Sequence, residues 1–218
     1  YPRFNTPDEI VEAIKQAQFN VIVMANNHIL DRGEKGVFRT LNVIRNKNIT
    51  TVGVQKDGEA DFTIKEVDGV KVGICAYTYE LGRFLDNRTI NGIILPKESE
   101  DNINTFNLYE TEPNYKKMGN IIEEMNRADV DIKIFYLHWG AEYADRPLKE
   151  QQELAKFLAY KGVDIIFGTH PHVVKGYEMI DKGRQGYSVV FYSMGNFISN
   201  QRHQYTEDRR TEDGVIAS

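Results

Sequence analysis

The sequence predicts a mixed α/β sandwich, a layered core of buried strands with helices outside. Three observations carry that prediction. Helix-periodic and strand-like segments alternate early in the chain, and later segments form strand pairs across short turns. The long apolar runs, such as Val21 to Ala25 and residues 162–167, are β-branched and apolar on both faces, as strands buried on two sides are.

Taken in order, Thr6-Pro7-Asp8-Glu9 reads as a helix start, with Thr6 as N-cap, Pro7 at the first position and Glu9 closing a capping box. Ile10, Val11, Ile14 and Ala17 then recur at helical spacing. Residues 20–25 form a strand with Asn26-Asn27-His28 just past its end, and residues 33–47 a second helix with Val37, Leu41 and Ile44 on one face. Residues 51–54, 62–66 and 70–79 read as strands, the last two joined by an Asp68-Gly69 turn. Residues 81–112 are rich in Asn, Asp, Glu and Thr and read as a polar insertion or lid. Pro113 opens a helix through Ala128, with Met118, Ile121, Ile122 and Met125 inward. A strand over 131–137, a helix over 148–161 and a strand over 162–167 follow. A strand pair over 173–180 and 187–192 then precedes a polar tail. The whole reads as one domain over 1–218.

Composition excludes several classes. A hydrophobic content of 41% with 27% charged residues is that of an ordinary globular protein. The net charge of −5 and the absence of a basic stripe, Arg209-Arg210 being an isolated pair, argue against nucleic acid as a partner. No apolar run approaches the length of a membrane span. Cys75, the single cysteine, rules out an intramolecular disulfide and a thiolate cluster, and its apolar surroundings make it a core residue.

The chemistry is carried by strand ends. Asn27-His28, His138 and the His170-Pro171-His172 pair each follow an apolar run, and these are four of the five histidines. Open α/β sheets place ligand sites at the carboxyl ends of their strands, and neutral imidazole is a common ligand of mid-series divalent metals. Alternation along an extended segment would turn His170 and His172 to one side, with Pro171 stiffening the backbone between them. No Gly-rich phosphate loop, Gly-x-Ser-x-Gly elbow or Cys–His pair occurs, so a water activated by a divalent metal is favoured over a side-chain nucleophile.

Four blocks carry a family resemblance: Ala25-Asn26-Asn27-His28 with Asp31 and Gly33, then residues 138–143, 168–172 and 192–197. In this order they resemble the CapA/PgsA-type poly-γ-glutamate (capsule) synthesis proteins of the calcineurin-like metallophosphoesterase superfamily. The resemblance implies a four-layer αββα metallophosphoesterase-like sandwich with one or two divalent ions (Mn, Fe or Zn) between its sheets. It also implies hydrolysis of an anionic ester by metal-activated water. Asn27 would be an amide-oxygen ligand, joined on one metal by His138 and His170, with His172 serving the other. His28 would be the general acid. Asp31 would either hold the His28 ring or cap the following helix. Glu142, Tyr143 and Asn196 would line the substrate pocket. Trp139 is either a pocket wall or core packing, core being the default.

Family members also carry a strand ending in Gly-Asp and an Asn-Leu-Glu segment that would precede Tyr1. The sequence is therefore expected to be N-terminally truncated, without its first strand, and its own ligand set of one amide and three imidazoles is neutral. The resemblance further implies a membrane tether outside this sequence and an extracytoplasmic or cell-surface location. The expected partners are poly-γ-glutamate synthase subunits, or an anionic polymer or phosphoester substrate. The alternative function is a non-catalytic assembly or polymer-handling subunit of the membrane-bound synthesis complex.

Overall fold

The structure is a computed structural model that describes residues 3–85 and 87–217, the side chain of Arg83 excepted. The chain forms two compact units, one of Tyr1–Thr63 with Cys75–Asn107 and the other of Ile64–Ile74 with Leu108–Ser218.

The first unit begins with α1 (Glu9–Gln16), β1 (Val21–Val23), α2 (Gly33–Arg45) and β2 (Thr50–Val52). β1 and β2 pair in parallel, Val21 opposite Thr50 and Val23 opposite Val52. The apolar stripe of α2, Val37, Leu41 and Ile44, is buried with Met24, Leu30, Ile49 and Val54, as its helical spacing requires. The start of α1 departs from expectation. Its N-cap is Asp8, in helical conformation and without a side-chain cap, because the Asp8 carboxylate is engaged by both terminal nitrogens of Arg39 at 2.7 and 2.8 Å. The expected Thr6–Glu9 capping box does not form.

β3 (Phe62–Val67) and β4 (Val70–Tyr79) are neighbours, and the division between the units passes through both. Asp68 and Gly69 have φ of 51° and 81°, the two positive values that a tight hairpin turn needs. Residues 81–112 contain β5 (Arg83–Phe84), β6 (Asn87–Ile90), β7 (Ile93–Ile94) and β8 (Thr105–Phe106). β5, β6 and β7 form a small sheet, and β8 pairs in parallel with the end of β4. Much of this polar stretch is interior: Ile90, Leu95 and Ile103 are buried, as are Asn102 and Asn104. Its buried amides are matched. Gln55 Nε2 donates to Asn104 Oδ1 at 3.0 Å, and Asn104 Nδ2 donates to the Asp61 carbonyl at 2.8 Å, so burial leaves these groups hydrogen-bonded.

The second unit holds α3 (Thr111–Arg127), β9 (Ile132–His138), α4 (Lys149–Tyr160), β10 (Ile165–Thr169), β11 (Val174–Asp181), β12 (Tyr187–Met194) and the short α5 (His203–Thr206). Its strands run in the order β11, β12, β10, β9, then β4 and β3. β10 pairs in parallel with β9 on one side and β12 on the other, and β11 pairs antiparallel with β12. One face of this sheet, including Phe135, Leu137, Ile166 and Val190, is fully buried, as are Met118 and Met125 of α3 and Leu158 of α4. Tyr115 and Phe157 stack at 4.0 Å to join α3 to α4. α3 starts two residues before Pro113, where a proline lacks no needed N–H.

The parallel registry decides where the chemistry lies. Thr169 pairs with His138 and Phe167 pairs with Phe191. The ends of β9, β10 and β12 therefore come out at one edge of the unit, where the loops bearing His138, His170, His172 and Asn196 leave the sheet.

Candidate metal centre

The residues singled out from sequence fall into two groups, each within one unit. In the first unit, Asn27, His28 and Asp31 lie on the turns between β1 and α2. Asn27 and Asp31 are buried. The Asp31 carboxylate can only accept, so His28 donates through Nδ1 to Asp31 Oδ2 at 2.9 Å, which presents Nε2 as the working nitrogen of the ring. Asp31 Oδ2 also accepts from the backbone N–H of Phe4 at 2.7 Å, and the Phe4 ring meets His28 edge-on at 4.6 Å. The N-cap of α2 is Arg32, not Asp31. Phe4, His28 and Asp31, but not Asn27, line a cavity of about 770 Å³ that also includes Arg32 and Arg39.

In the second unit three imidazoles stand in a row. The His138 and His170 ring centroids are 5.0 Å apart and those of His170 and His172 6.0 Å. His138 Nδ1 is bonded to the Thr169 hydroxyl at 3.0 Å, a partner supplied by the parallel pairing. The two rings after β10 converge by a different route from strand alternation. His170 and His172 have φ of 97° and 61°, so the backbone turns left-handed at both. Such conformations are costly for residues with a Cβ and gather at functional sites.

The loop after β9 closes on the same spot. Trp139 is fully buried, with its backbone N–H on the Thr169 carbonyl at 3.1 Å and its indole N–H on the Tyr192 carbonyl at 3.2 Å. Gly168 makes this possible, because a Cβ there would lie 2.4 Å from the Tyr192 oxygen and 2.5 Å from the indole nitrogen. Trp139 is thus core. The Tyr143 N–H donates to the Pro171 carbonyl at 2.8 Å, and its ring stacks on His172 at 5.9 Å. Burial, with the Glu142 and Asp208 carboxylates adding to it, pushes the Tyr143 phenol above its usual range.

This closure brings Glu142 to the histidines. Ligand atoms of Glu142, His170 and His172 all lie within 4.8 Å of one another. A tetrahedral ion with bonds of about 2.1 Å wants ligand atoms about 3.4 Å apart, inside the 4.8 Å bound, and of the three side chains only Glu142 is exposed. Two imidazoles and a carboxylate suit Zn, Mn or Fe, so the residues present fit a divalent ion. Sequence reasoning placed Glu142 in the substrate pocket and did not consider it as a ligand. The available signal was its position four residues after His138, on the loop leaving the same strand. Asn196 touches the cluster as well, its Oδ1 lying 2.9 Å from His172 Nδ1.

Comparison with known proteins bears on the family and the fold. Two curated relatives are the capsule biosynthesis protein CapA of Bacillus anthracis and the PGA biosynthesis protein CapA of Bacillus subtilis strain 168. The first is 29% identical over 203 residues, covering 92% of this chain and 45% of that protein. The second is 30% identical over 206 residues, covering 93% of this chain and 48% of that protein. The chain thus spans about half the length of the curated relatives it matches. Among solved structures, sulfate thiohydrolase SoxB of Thermus thermophilus, determined with glycerol, superposes with a TM-score of 0.51. It is 13% identical, over 85% of this chain and 30% of that one. At that identity the likeness establishes the fold, a mixed α/β architecture of the metallophosphoesterase type. The model of the bacterial capsule synthesis protein PGA_cap matches residues 1–201, and the chain belongs to that family.

Proposed function

We propose that this chain is the metal-binding, phosphoesterase-like part of a capsule or poly-γ-glutamate biosynthesis protein, acting hydrolytically on an anionic ester. The observation that carries the reading is the meeting of Glu142, His170 and His172 ligand atoms within 4.8 Å, beside His138. Glu142 supplies the negative charge that the expected set of imidazoles and one amide lacked, and so offsets part of the charge of a dication. A divalent ion held there supplies Lewis acidity toward an anionic substrate and lowers the pKa of bound water toward neutrality. The chain's own residues do the rest. Thr169 holds the His138 ring, and Tyr143 covers one face of His172. In the first unit, His28 has its Nδ1 committed to Asp31, so Nε2 is the nitrogen through which it would act as the acid.

The relatives' names supply the process, capsule and poly-γ-glutamate biosynthesis. On this reading the substrate is an anionic polymer or phosphoester, and the protein acts at the cell surface beside the polymer synthase. No helix among the described residues is long and apolar enough to cross a membrane.

The test is calorimetric titration with Mn²⁺ or Zn²⁺ together with hydrolysis of a phosphomonoester panel. Saturable binding that is lost in His170→Ala/His172→Ala, with metal-dependent turnover, supports the proposal. Absence of binding overturns it. Binding without turnover in the full-length protein would instead assign the chain to non-catalytic polymer handling.

A further inference from the structure

Asn196 leaves β12 immediately after Gly195, and its amide is fully committed. Nδ2 donates to the Thr211 carbonyl at 2.9 Å and to the His172 carbonyl at 3.3 Å. Carbonyl oxygens only accept, so these two bonds fix which end of the amide is nitrogen. Oδ1 is therefore the atom 2.9 Å from His172 Nδ1. An amide oxygen also only accepts, so the proton of that bond belongs to Nδ1. In neutral His172 the lone pair is then on Nε2.

The order of the amide comes from the C-terminal segment. Thr211 is buried, and its hydroxyl bonds to the Gln201 and Asp208 carbonyls. Asn196 N–H donates to the Asp213 carbonyl at 3.2 Å, Gly195 and Gly214 form a β-bridge, and the Val215 N–H donates to the Met194 carbonyl at 2.9 Å. Gly195 has φ of 71°, and a Cβ there would sit 2.5 Å from the Asp213 oxygen. Only glycine lets the segment lie this close. The family match ends at residue 201, so the segment that orients Asn196 lies outside it.

We infer that Asn196, oriented by the Thr211 carbonyl, is a positioning residue that presets His172 as the Nδ1–H tautomer, with Nε2 offered as a metal ligand. The inference rests on the metal-centre reading for its consequence but not for its geometry. A metal-ligating imidazole depends on such a partner for its tautomer and aim, and loss of the partner weakens metal affinity by about 10–100-fold.

Two measurements on the full chain test it. Long-range ¹H–¹⁵N spectra of histidine-labelled, metal-free protein read the tautomer directly, with His172→Ala used for assignment. The Nδ1–H form is expected in the unmodified chain, a tautomer mixture in Asn196→Ala, and partial recovery of the Nδ1–H form in Asn196→Asp, whose carboxylate still accepts from Nδ1 but has no N–H for the Thr211 and His172 carbonyls. Zn²⁺ titration is expected to show about 10–100-fold weaker binding in Asn196→Ala and partial rescue in Asn196→Asp. An Nε2–H tautomer in the unmodified chain overturns the inference. So does a tautomer and affinity unchanged in Asn196→Ala. If the unmodified chain binds no Zn²⁺, the metal reading fails while the tautomer comparison still decides the role of Asn196. If Asn196→Ala does not fold, the unmodified chain and Asn196→Asp decide it.

Discussion

Replacing Gly168 by alanine tests how the strand ends are built. The added Cβ would lie 2.4 Å from the Tyr192 oxygen and 2.5 Å from Trp139 Nε1, a backbone atom and a ring atom of buried residues. Neither is the far end of a flexible side chain, so relief requires Tyr192 and Trp139 to part, which breaks the 3.2 Å bond between them. Overpacking of this kind costs about 1–3 kcal/mol, and the lost hydrogen bond about 1 kcal/mol more. The expected destabilisation is therefore about 2–4 kcal/mol. Trp139 is the only tryptophan, so its fluorescence during urea unfolding reports this unit without contribution from the other. A lower midpoint and a shifted native emission maximum are expected. An unchanged midpoint with unchanged emission would refute the reasoning, and with it the claim that Gly168 lets Trp139 pack against Tyr192.

Other outcomes follow from the same geometry. Glu142→Gln keeps the shape of the side chain but removes the only carboxylate of the candidate triad, so Mn²⁺ affinity measured by titration falls by at least an order of magnitude. His28→Ala lowers the maximal rate of ester hydrolysis by about 10²–10⁴-fold, the usual contribution of a general acid; equal rates would remove it from the mechanism. Leu158→Ala, at a fully buried position of α4, costs about 2–5 kcal/mol in urea unfolding. Lys175 is buried on β11, and burial pushes its ammonium below the usual value of 10.5. A lowered folded pKa means the charged form is disfavoured in the fold. That penalty is present in full below the folded pKa and fades as pH rises toward 10.5. Lys175→Met is expected to be more stable than the unmodified chain near neutral pH, with the gap narrowing in unfolding curves at alkaline pH.

The sequence made the elements legible wherever a periodicity stood behind them. Val37, Leu41 and Ile44 lie on the buried face of α2, and Met118, Ile121, Ile122 and Met125 on that of α3, because an apolar stripe at helical spacing has few other outcomes. The α1 start was misread because Arg39, distant in sequence, captures the Asp8 carboxylate. Residues 81–112 conceal their interior for a related reason. Asn102 and Asn104 look like loop residues until Asp57, Gln55 and the Asp61 carbonyl arrive to satisfy them.

At the candidate site, histidines at strand ends were visible in the sequence, but the means of their convergence was not. Left-handed turns at His170 and His172 bring the rings together, and a histidine, though enriched at positive φ, does not by itself announce such a turn. The coordinating potential of Glu142 depends on a bond from Tyr143 N–H to the Pro171 carbonyl that draws one loop onto another. The grip of Asn196 on His172 depends on the Thr211 carbonyl. Each is a contact between segments far apart in the chain, which a spacing argument does not reach.

The position of a bound ion bears on the central claim more directly than any rate. Crystals equilibrated with Zn²⁺, measured on both sides of the zinc absorption edge, are predicted to show an anomalous peak about 2.0–2.2 Å from the Glu142 carboxylate and from ring nitrogens of His170 and His172. No peak at saturating Zn²⁺, or a peak only at sites remote from these three residues, would contradict the account.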